Sequence, residues 1–296
     1  IVLMNLEGFT YQDIDLTGEH STSDYWILHR LNETARDITR LMDQYEFGET
    51  GRLLYDFIWD DLCDWYIEFS KISLYSDDLR AKKHTQSVLC YVLDQTLRLI
   101  HPFMPFISEE IWQHLPHHGE TVSLALWPSY DAIWEAPEAL KEMEFLKNVI
   151  GAVRNIRAEV NVPMSKKVEL IIKPANDELS SVLQRNQAYI GRFSNTSSLK
   201  MGIDLSAPEK AMTSIVSGAE LYFPLAGLLD LAQEIARLEK ESLTLTAEVE
   251  RVEKKLANAG FVAKAPAHVI EEEQAKMKDY ADKKEKVLIR IAELKN

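Results

Sequence analysis

Cysteine is scarce: Cys63 and Cys90 are the only two in 296 residues. Neither stands at a zinc-ligand or disulfide-framework spacing, so both are expected to be buried thiols in a reducing, cytoplasmic setting. Long apolar runs are also missing. None reaches the roughly 20 residues that a membrane helix needs, and no basic-then-apolar leader opens the chain, so no membrane partner is expected. Positive charge is in deficit, with 33 Lys and Arg against 47 Asp and Glu and a net charge of −14. Broad phosphate binding needs clustered cations. The balance therefore excludes a general nucleic-acid sponge, though not a local basic surface on an acidic body. There is no Gly-rich phosphate loop, nucleophile elbow or zinc-protease pair. The chain is expected to hold no catalytic residue, metal or cofactor of its own.

What is present is ample material for a core, with 46% of residues apolar, and a strong helical rhythm. The first residue is Ile1, and "IVLMNLEGF" reads as though in mid-sentence, which raises the expectation of one part of a longer protein. Residues 1–22 look like a loop-rich connector. "STSD" at 21–24 supplies side chains that cap a helix start, after which Ile27, Leu31, Ile38, Leu41 and Tyr45 recur at helical spacing. "EFGETG" at 46–51 breaks the pattern. A second helix is predicted to about Ser70 with Leu54, Ile58, Leu62, Trp65 and Phe69 on its stripe, and a third from about Asp78 to Leu99.

"HPFMPFISEEIWQHLP" at 101–116 then places two prolines among bulky apolar residues. Pro102 disfavours helix in the residue before it. Pro105 fits the first turn of the next helix, where a missing N–H costs nothing. The string predicts a rigid corner closing a four-helix bundle, with Phe103, Phe106, Ile107 and Ile111 packed into the groove. "TVSLALWP" (121–128) predicts a short strand, and a further helix is expected from Ala136 to about Glu159. Strand-like "KKVELIIKP" (166–174), a helix from Asp177 to Tyr189, strand-like "SSLKM" and "AELYFP", and loop with short strand over 206–217 complete a small α/β module.

The last seventy residues change character. Leu228, Leu231, Ile235, Leu238, Ser242, Leu245, Val249, Val252, Leu256 and Ala259 step by three and four, as in a coiled coil. Gly260 and "FVAKAP" make a turn, and Ile270, Met277, Tyr280, Val287, Ile291 and Leu294 resume the spacing. Two helices about one turn form an antiparallel hairpin that should reach roughly 45–50 Å. The expected fold is thus mainly α: connector 1–22, helical bundle 23–150, small mixed α/β module 151–225 and two-helix coiled coil 226–296.

Charge is unevenly spread. Residues 227–296 carry 13 Lys and Arg against 14 Asp and Glu, whereas the other 226 residues carry 20 against 33. Near the hairpin turn stand Arg251, Lys254, Lys255, Lys264 and His268, with Phe261 among them. An aromatic ring beside lysines can stack on a base while the amines meet phosphates. The alternative is a solvated charge pattern. Arg154, Arg157, Lys166, Lys167 and Lys173 form a second cluster that either faces an anion or is the wet side of a helix and strand. Asp60, Asp61 and Asp64 lack a partner His and are expected on a solvated face; His114, His117 and His118 would bind a metal only with further ligands; Trp112 and Trp127, beside prolines, are expected in the core.

Three strings carry a resemblance. "SDYWILHRLNET" (23–34), "YDFIWDDLCDWYIEFSK" (55–71) and "HPFMPFISEEIW" (101–112) resemble the helical anticodon-binding domain of class Ia aminoacyl-tRNA synthetases. "RNIRAEVNVP" (154–163) and "NAGFVAKAP" (258–266) are similar to the bacterial valine-specific branch of that family, and the likeness covers essentially the whole chain. "PMSKK" (163–167) shares letters with the KMSKS nucleotide-binding loop of class I synthetases, but leads straight into a strand and is expected to be a decoy. The HIGH motif, a genuine KMSKS loop and the editing domain are missing.

The resemblance implies a C-terminal third, cut off after the catalytic core, that binds valine tRNA as a monomer. ATP and Mg²⁺ would serve the intact ligase, in its missing N-terminal catalytic and editing domains. It implies that the bundle reads the anticodon and that the hairpin meets the tRNA elbow. Candidate contacts are Arg30, Arg36, Arg40, Arg80, Lys82 and Lys83 on the anticodon side (with His84 beside them), Arg154 and Arg157 at the junction, and Arg251, Lys254, Lys255, Phe261 and Lys264 at the tip. For each cation the alternative is an ordinary surface charge. A different class of function, a coiled-coil scaffold or dimerisation module, also fits the heptads.

Overall fold

The computed structural model describes residues 2–224, 231–258 and 266–295. It is mostly helical with one four-stranded mixed sheet. Two compact units emerge. The first comprises Ile1–Gly151, Ala175–Phe193 and Val216–Gly218; the second comprises Ala152–Pro174, Ser194–Ile215 and Ala219–Asn296.

In the first unit, α1 (Thr22–Asp43) starts where Ser21 accepts a hydrogen bond from Asp24 N and the Asp24 carboxylate accepts one from Ser21 N, a reciprocal cap. Its buried stripe includes Trp26, Ile27, Leu31, Ile38 and Leu41. Tyr45, with φ 60°, turns the chain into α2 (Phe47–Asp56). A π-helical stretch, Phe57–Tyr66, joins α2 to α3 (Ile67–Leu74). This wider turn changes the expected stripe. Leu54, Phe57, Leu62, Tyr66 and Phe69 are buried, while Ile58 and Trp65 are only half-buried. A step of five from Phe57 to Leu62 suits i→i+5 bonding, and it also turns Asp61 inward.

Helix α4 (Leu79–Ile100) begins with the Asp78 carboxylate accepting from Arg80 N and Ala81 N. After the His101–Pro102 corner, α5 (Pro105–Gln113) starts on proline as expected. The corner packs differently from the expectation. Phe103, Phe106 and Ile107 are exposed, Phe106 by 90%, and Ile111 is half-buried. Starting α5 at Pro105 sets its phase so that Ser108, Trp112 and then Leu115 face inward. Trp112 Nε1 donates to Asp94 Oδ1 at 2.6 Å, and His101 spans Ser108 Oγ and Ser123 Oγ at 2.8 Å each. "TVSLALWP" is not a strand. Glu109 accepts from Thr121 Oγ1 and Val122 N, which holds residues 122–124 as a 3₁₀ turn.

Helix α6 (Pro137–Glu159) leads to β1 (Val168–Pro174). Helices α7 (Asp177–Arg185) and α8 (Gln187–Ser194) replace the single helix expected over 177–189, parting at Asn186, whose side chain donates back to Val182 O. Strands β2 (Thr196–Met201), β3 (Ala211–Val216) and β4 (Ala219–Pro224) follow. The sheet order is β2-β1-β4-β3, with β1 parallel to β2 and antiparallel to β4. Gly218, with φ 92°, closes the β3–β4 hairpin, and a Cβ there would lie 2.6 Å from Leu179 Cδ1.

Helices α9 (Leu231–Ala257) and α10 (Ala267–Lys295) lie side by side and antiparallel, with Lys255 late in α9 paired to Glu273 early in α10 at 3.3 Å. Leu238, Val252 and Ile291 are buried between them. At about 1.5 Å per residue each helix runs roughly 40 Å. No helix among the described residues is long and apolar enough to cross a membrane.

Candidate nucleic-acid interface

The stretch before α1 and the first turns of α4 enclose a cleft of ≈ 920 Å³. The Asp78 cap fixes where α4 starts, and Arg80, Lys83 and His84 therefore line that cleft, opposite Asp13 and His20. Lys83 Nζ sits 2.8 Å from Asp13 Oδ1. That bond, more than the Thr10 donors, holds the half-buried Asp13 carboxyl well below the usual carboxylate range. Asp15 is lowered as well, chiefly by the Thr17 hydroxyl. His84 Nε2 stands 2.8 Å from His20 Nδ1, and burial, then His84, pulls the His20 pKa down and favours the neutral ring.

The α1 arginines lie outside the residues that line the cleft. Arg30 donates through Nε to Asp61 at 2.9 Å and through Nη1 to Glu33 at 3.1 Å. Burial opposes its charge, but the two carboxylates outweigh burial and raise its pKa. Lys147 shares Asp61 at 3.7 Å and lies 4.9 Å from the Trp26 ring; burial lowers its pKa. Arg36 donates to Asp37 and covers the Tyr130 ring at 5.5 Å. Arg40 reaches Gln44 Oε1 at 3.5 Å.

In the second unit Arg154 is exposed, whereas Arg157 is only 1% exposed. Arg157 Nη1 donates to Pro163 O and Lys166 O, and Nη2 to Ser194 O and Asn195 O, at 2.7–3.2 Å. This contradicts the expectation of an anion contact: every terminal nitrogen is spent on backbone carbonyls inside the fold. At the far end of α9, Arg251 closes on Glu248 at 2.6 Å and Lys255 pairs with Glu273, while Lys254 is exposed. Phe261 and Lys264 lie outside the described residues.

Residues 24–172, half of the chain, match the profile of the anticodon-binding domain of tRNA ligases. The chain belongs to that family. Residues 230–295 match a second profile, the valyl tRNA synthetase tRNA binding arm. Among similar proteins are the valine–tRNA ligases of Bacillus subtilis (strain 168), 58% identical, and of Geobacillus stearothermophilus, 57% identical, each over 293 residues. The valine–tRNA ligase of Bacillus cereus (strain ATCC 14579) is 59% identical over the same length. These matches cover 99% of the chain and 33% of each relative. The chain thus spans about a third of the length of the curated relatives it matches.

Within this anticodon-binding domain, the structure gathers Arg80, Lys83 and His84 into one cleft, leaves Lys82 half-buried outside its lining, and keeps Arg30 and Arg36 in an ion-pair cluster on α1 around Glu33. The sequence reading passed over two features. His20 and Gly18 enter the cleft from the connector, and no periodic pattern marks them. Tyr45, Phe47, Tyr55 and Trp59 are all at least half exposed, in two ring pairs 6.1 and 6.0 Å apart. Phe47, Tyr55 and Trp59 fall off the predicted stripes, which is a readable signal; Tyr45 was expected on the α1 stripe, but α1 ends at Asp43 and leaves it 80% exposed.

The thiols differ in a checkable way. Burial, with Asp94 nearby, pushes the Cys90 thiol up to about 12; the half-buried Cys63 is raised less far, again mainly by burial. Only thiolate alkylates. Iodoacetamide at about pH 8 should label Cys63 slowly and Cys90 only after unfolding in urea, read by peptide mass spectrometry. Labelling of both at one rate would contradict the burial of Cys90.

Proposed function

We propose that this chain is the tRNA-gripping region of a valine–tRNA ligase, holding valine tRNA at the anticodon and at the outer corner of its L while other parts of the ligase esterify it. The observation that carries the reading is the order of two matches in one chain, an anticodon-binding domain followed by a valyl-type tRNA-binding arm. ATP and Mg²⁺ would be used by those other parts, in the cytoplasm. Two distant anchors supply orientation, which can account for a large share of a rate.

The cleft beside α4 is the best candidate for an unstacked anticodon base. Single-stranded RNA is read through splayed bases, whose edges need donors and acceptors such as the carboxylates and imidazoles there. Arg80 and Lys83 would meet the flanking phosphates, Lys83 exchanging Asp13 for RNA. Arg36 and Arg40 remain candidate phosphate contacts on α1, and Lys82 beside the cleft and Arg154 in the second unit complete the set. Arg30, tied to Asp61, serves better to shape α1, and Arg157 is left out because it is enclosed. On the hairpin, Arg251, Lys254 and Lys255 would approach the tRNA elbow, with Phe261 stacking and Lys264 beside it.

Filter binding of valine tRNA across a salt series tests this. Arg80→Ala and Lys83→Ala should each flatten the log–log salt slope by about 0.7, one single-strand phosphate contact, and should reduce the preference for tRNA with the valine anticodon. An unchanged slope in the Arg80→Ala/Lys83→Ala double variant would remove the cleft from the interface, and equal affinity for all tRNAs would remove the reading itself. The scaffold alternative is disfavoured because α9 and α10 pair with each other within one chain, burying Leu238, Val252 and Ile291 and joining Lys255 to Glu273. A concentration-dependent dimer in sedimentation without RNA would revive it.

A further inference from the structure

We propose that His20, His84 and Asp24 form a binding site for a single borderline-soft divalent cation, Zn²⁺ being the best fit. One ligand atom from each lies within 4.8 Å of the others, and among the described residues no other trio of His, Cys, Asp or Glu is so gathered. His20 and Asp24 stand four residues apart across the α1 cap, and His84 joins them from α4, 60 residues on. A tetrahedral Zn²⁺ with bonds near 2.1 Å holds its ligands about 3.4 Å apart. His20 Nδ1 and His84 Nε2, now 2.8 Å apart, need only a small separation to admit the ion between them.

The surroundings suit an ion. The His20 ring is braced edge-on by the Tyr25 ring, 4.9 Å between centroids. Asp24, 3% exposed, is held by Tyr66 through a 2.6 Å bond to Oδ1 and by Ser21 on Oδ2. Gly18 leaves room for His84; a Cβ there would approach the His84 ring to 3.1 Å. Five carboxylates (Asp13, Asp15, Glu19, Asp24 and Asp78) line the cleft against two full cations, Arg80 and Lys83. The field favours a divalent guest. Two imidazoles and one carboxylate leave the fourth position of a tetrahedral ion toward the cleft, for water or one N or O donor of an incoming molecule.

The proposal does not depend on RNA binding, so its test uses none. Co²⁺, a spectroscopic stand-in for Zn²⁺, is titrated into the untagged full chain while the visible d–d bands are followed, and Zn²⁺ is then added in competition. The expected result is one Co²⁺ per chain, four-coordinate bands without thiolate charge transfer, and displacement by Zn²⁺. His20→Ala and His84→Gln should each weaken Co²⁺ binding by at least about tenfold, with far-UV circular dichroism confirming that both remain folded. The double variant His114→Ala/His117→Ala should bind as the parent does. No visible band, a thiolate band from Cys63 or Cys90, or equal binding in the His20 and His84 variants would overturn the site.

Discussion

Replacing Arg157 by Met should cost the second unit about 3 kcal/mol. The guanidinium answers four carbonyls from three segments, Pro163, Lys166, and the Ser194–Asn195 pair. Methionine preserves much of the packing but removes every donor. A buried carbonyl left without a partner costs roughly 1–3 kcal/mol. Residues 163–167 are exposed, so water can answer part of that loss, and the sum stays below four full penalties. Lysine keeps the charge but has a single nitrogen in place of the fork, so Arg157→Lys should recover less than half. Because two units need not unfold together, the measurement is native-state hydrogen exchange at Leu170, Ile171 and Ile172 in β1. A loss below about 1 kcal/mol there would mean that the four bonds contribute little net stability.

Asp94→Ala should destabilise the first unit by about 3 kcal/mol. Asp94 is 8% exposed and accepts from Trp112 Nε1 at 2.6 Å and from Arg98 at 2.9 Å, while Trp112 is wholly buried. Alanine strands one buried indole N–H and leaves a guanidinium with 20% side-chain exposure lacking its carboxylate. Asp94→Asn retains an acceptor for the indole and should lose only about 1–2 kcal/mol. Urea unfolding followed by circular dichroism gives the comparison. A cycle with Trp112→Phe isolates the indole bond; a coupling energy near zero would assign the loss to Arg98 instead.

Much of the fold was legible because it follows from local chemistry. Ser21 and Asp24 announce the start of α1, Asp78 that of α4 and Pro105 that of α5, since each answers or dispenses with a free backbone N–H. The strands β1, β2 and β4 and the hairpin periodicity follow from side-chain patterns of two and three-to-four. The elbow phenylalanines did not follow. Whether Phe106 or Trp112 faces inward depends on the phase of α5, which the pairing of Trp112 with Asp94, 18 residues away, helps to fix. The π-helical turn was invisible for a similar reason. Its i→i+5 bonds shift the buried face from Trp65 to Tyr66, and Tyr66 is held by Asp24 from α1 at 2.6 Å.

The sequence by itself determined where helices begin, which stripes are apolar and, through its resemblance to known synthetases, the family. It did so because capping, periodicity and motif spacing act over a few residues. Only the tertiary structure decided which cations are spent and which remain at a surface. Arg157 and Arg80 read alike as positive letters, yet one is enclosed by carbonyls from residues 163–195 and the other lines a cleft. A charge acquires its role from the dielectric and the partners around it, and those are supplied by chain segments distant in sequence.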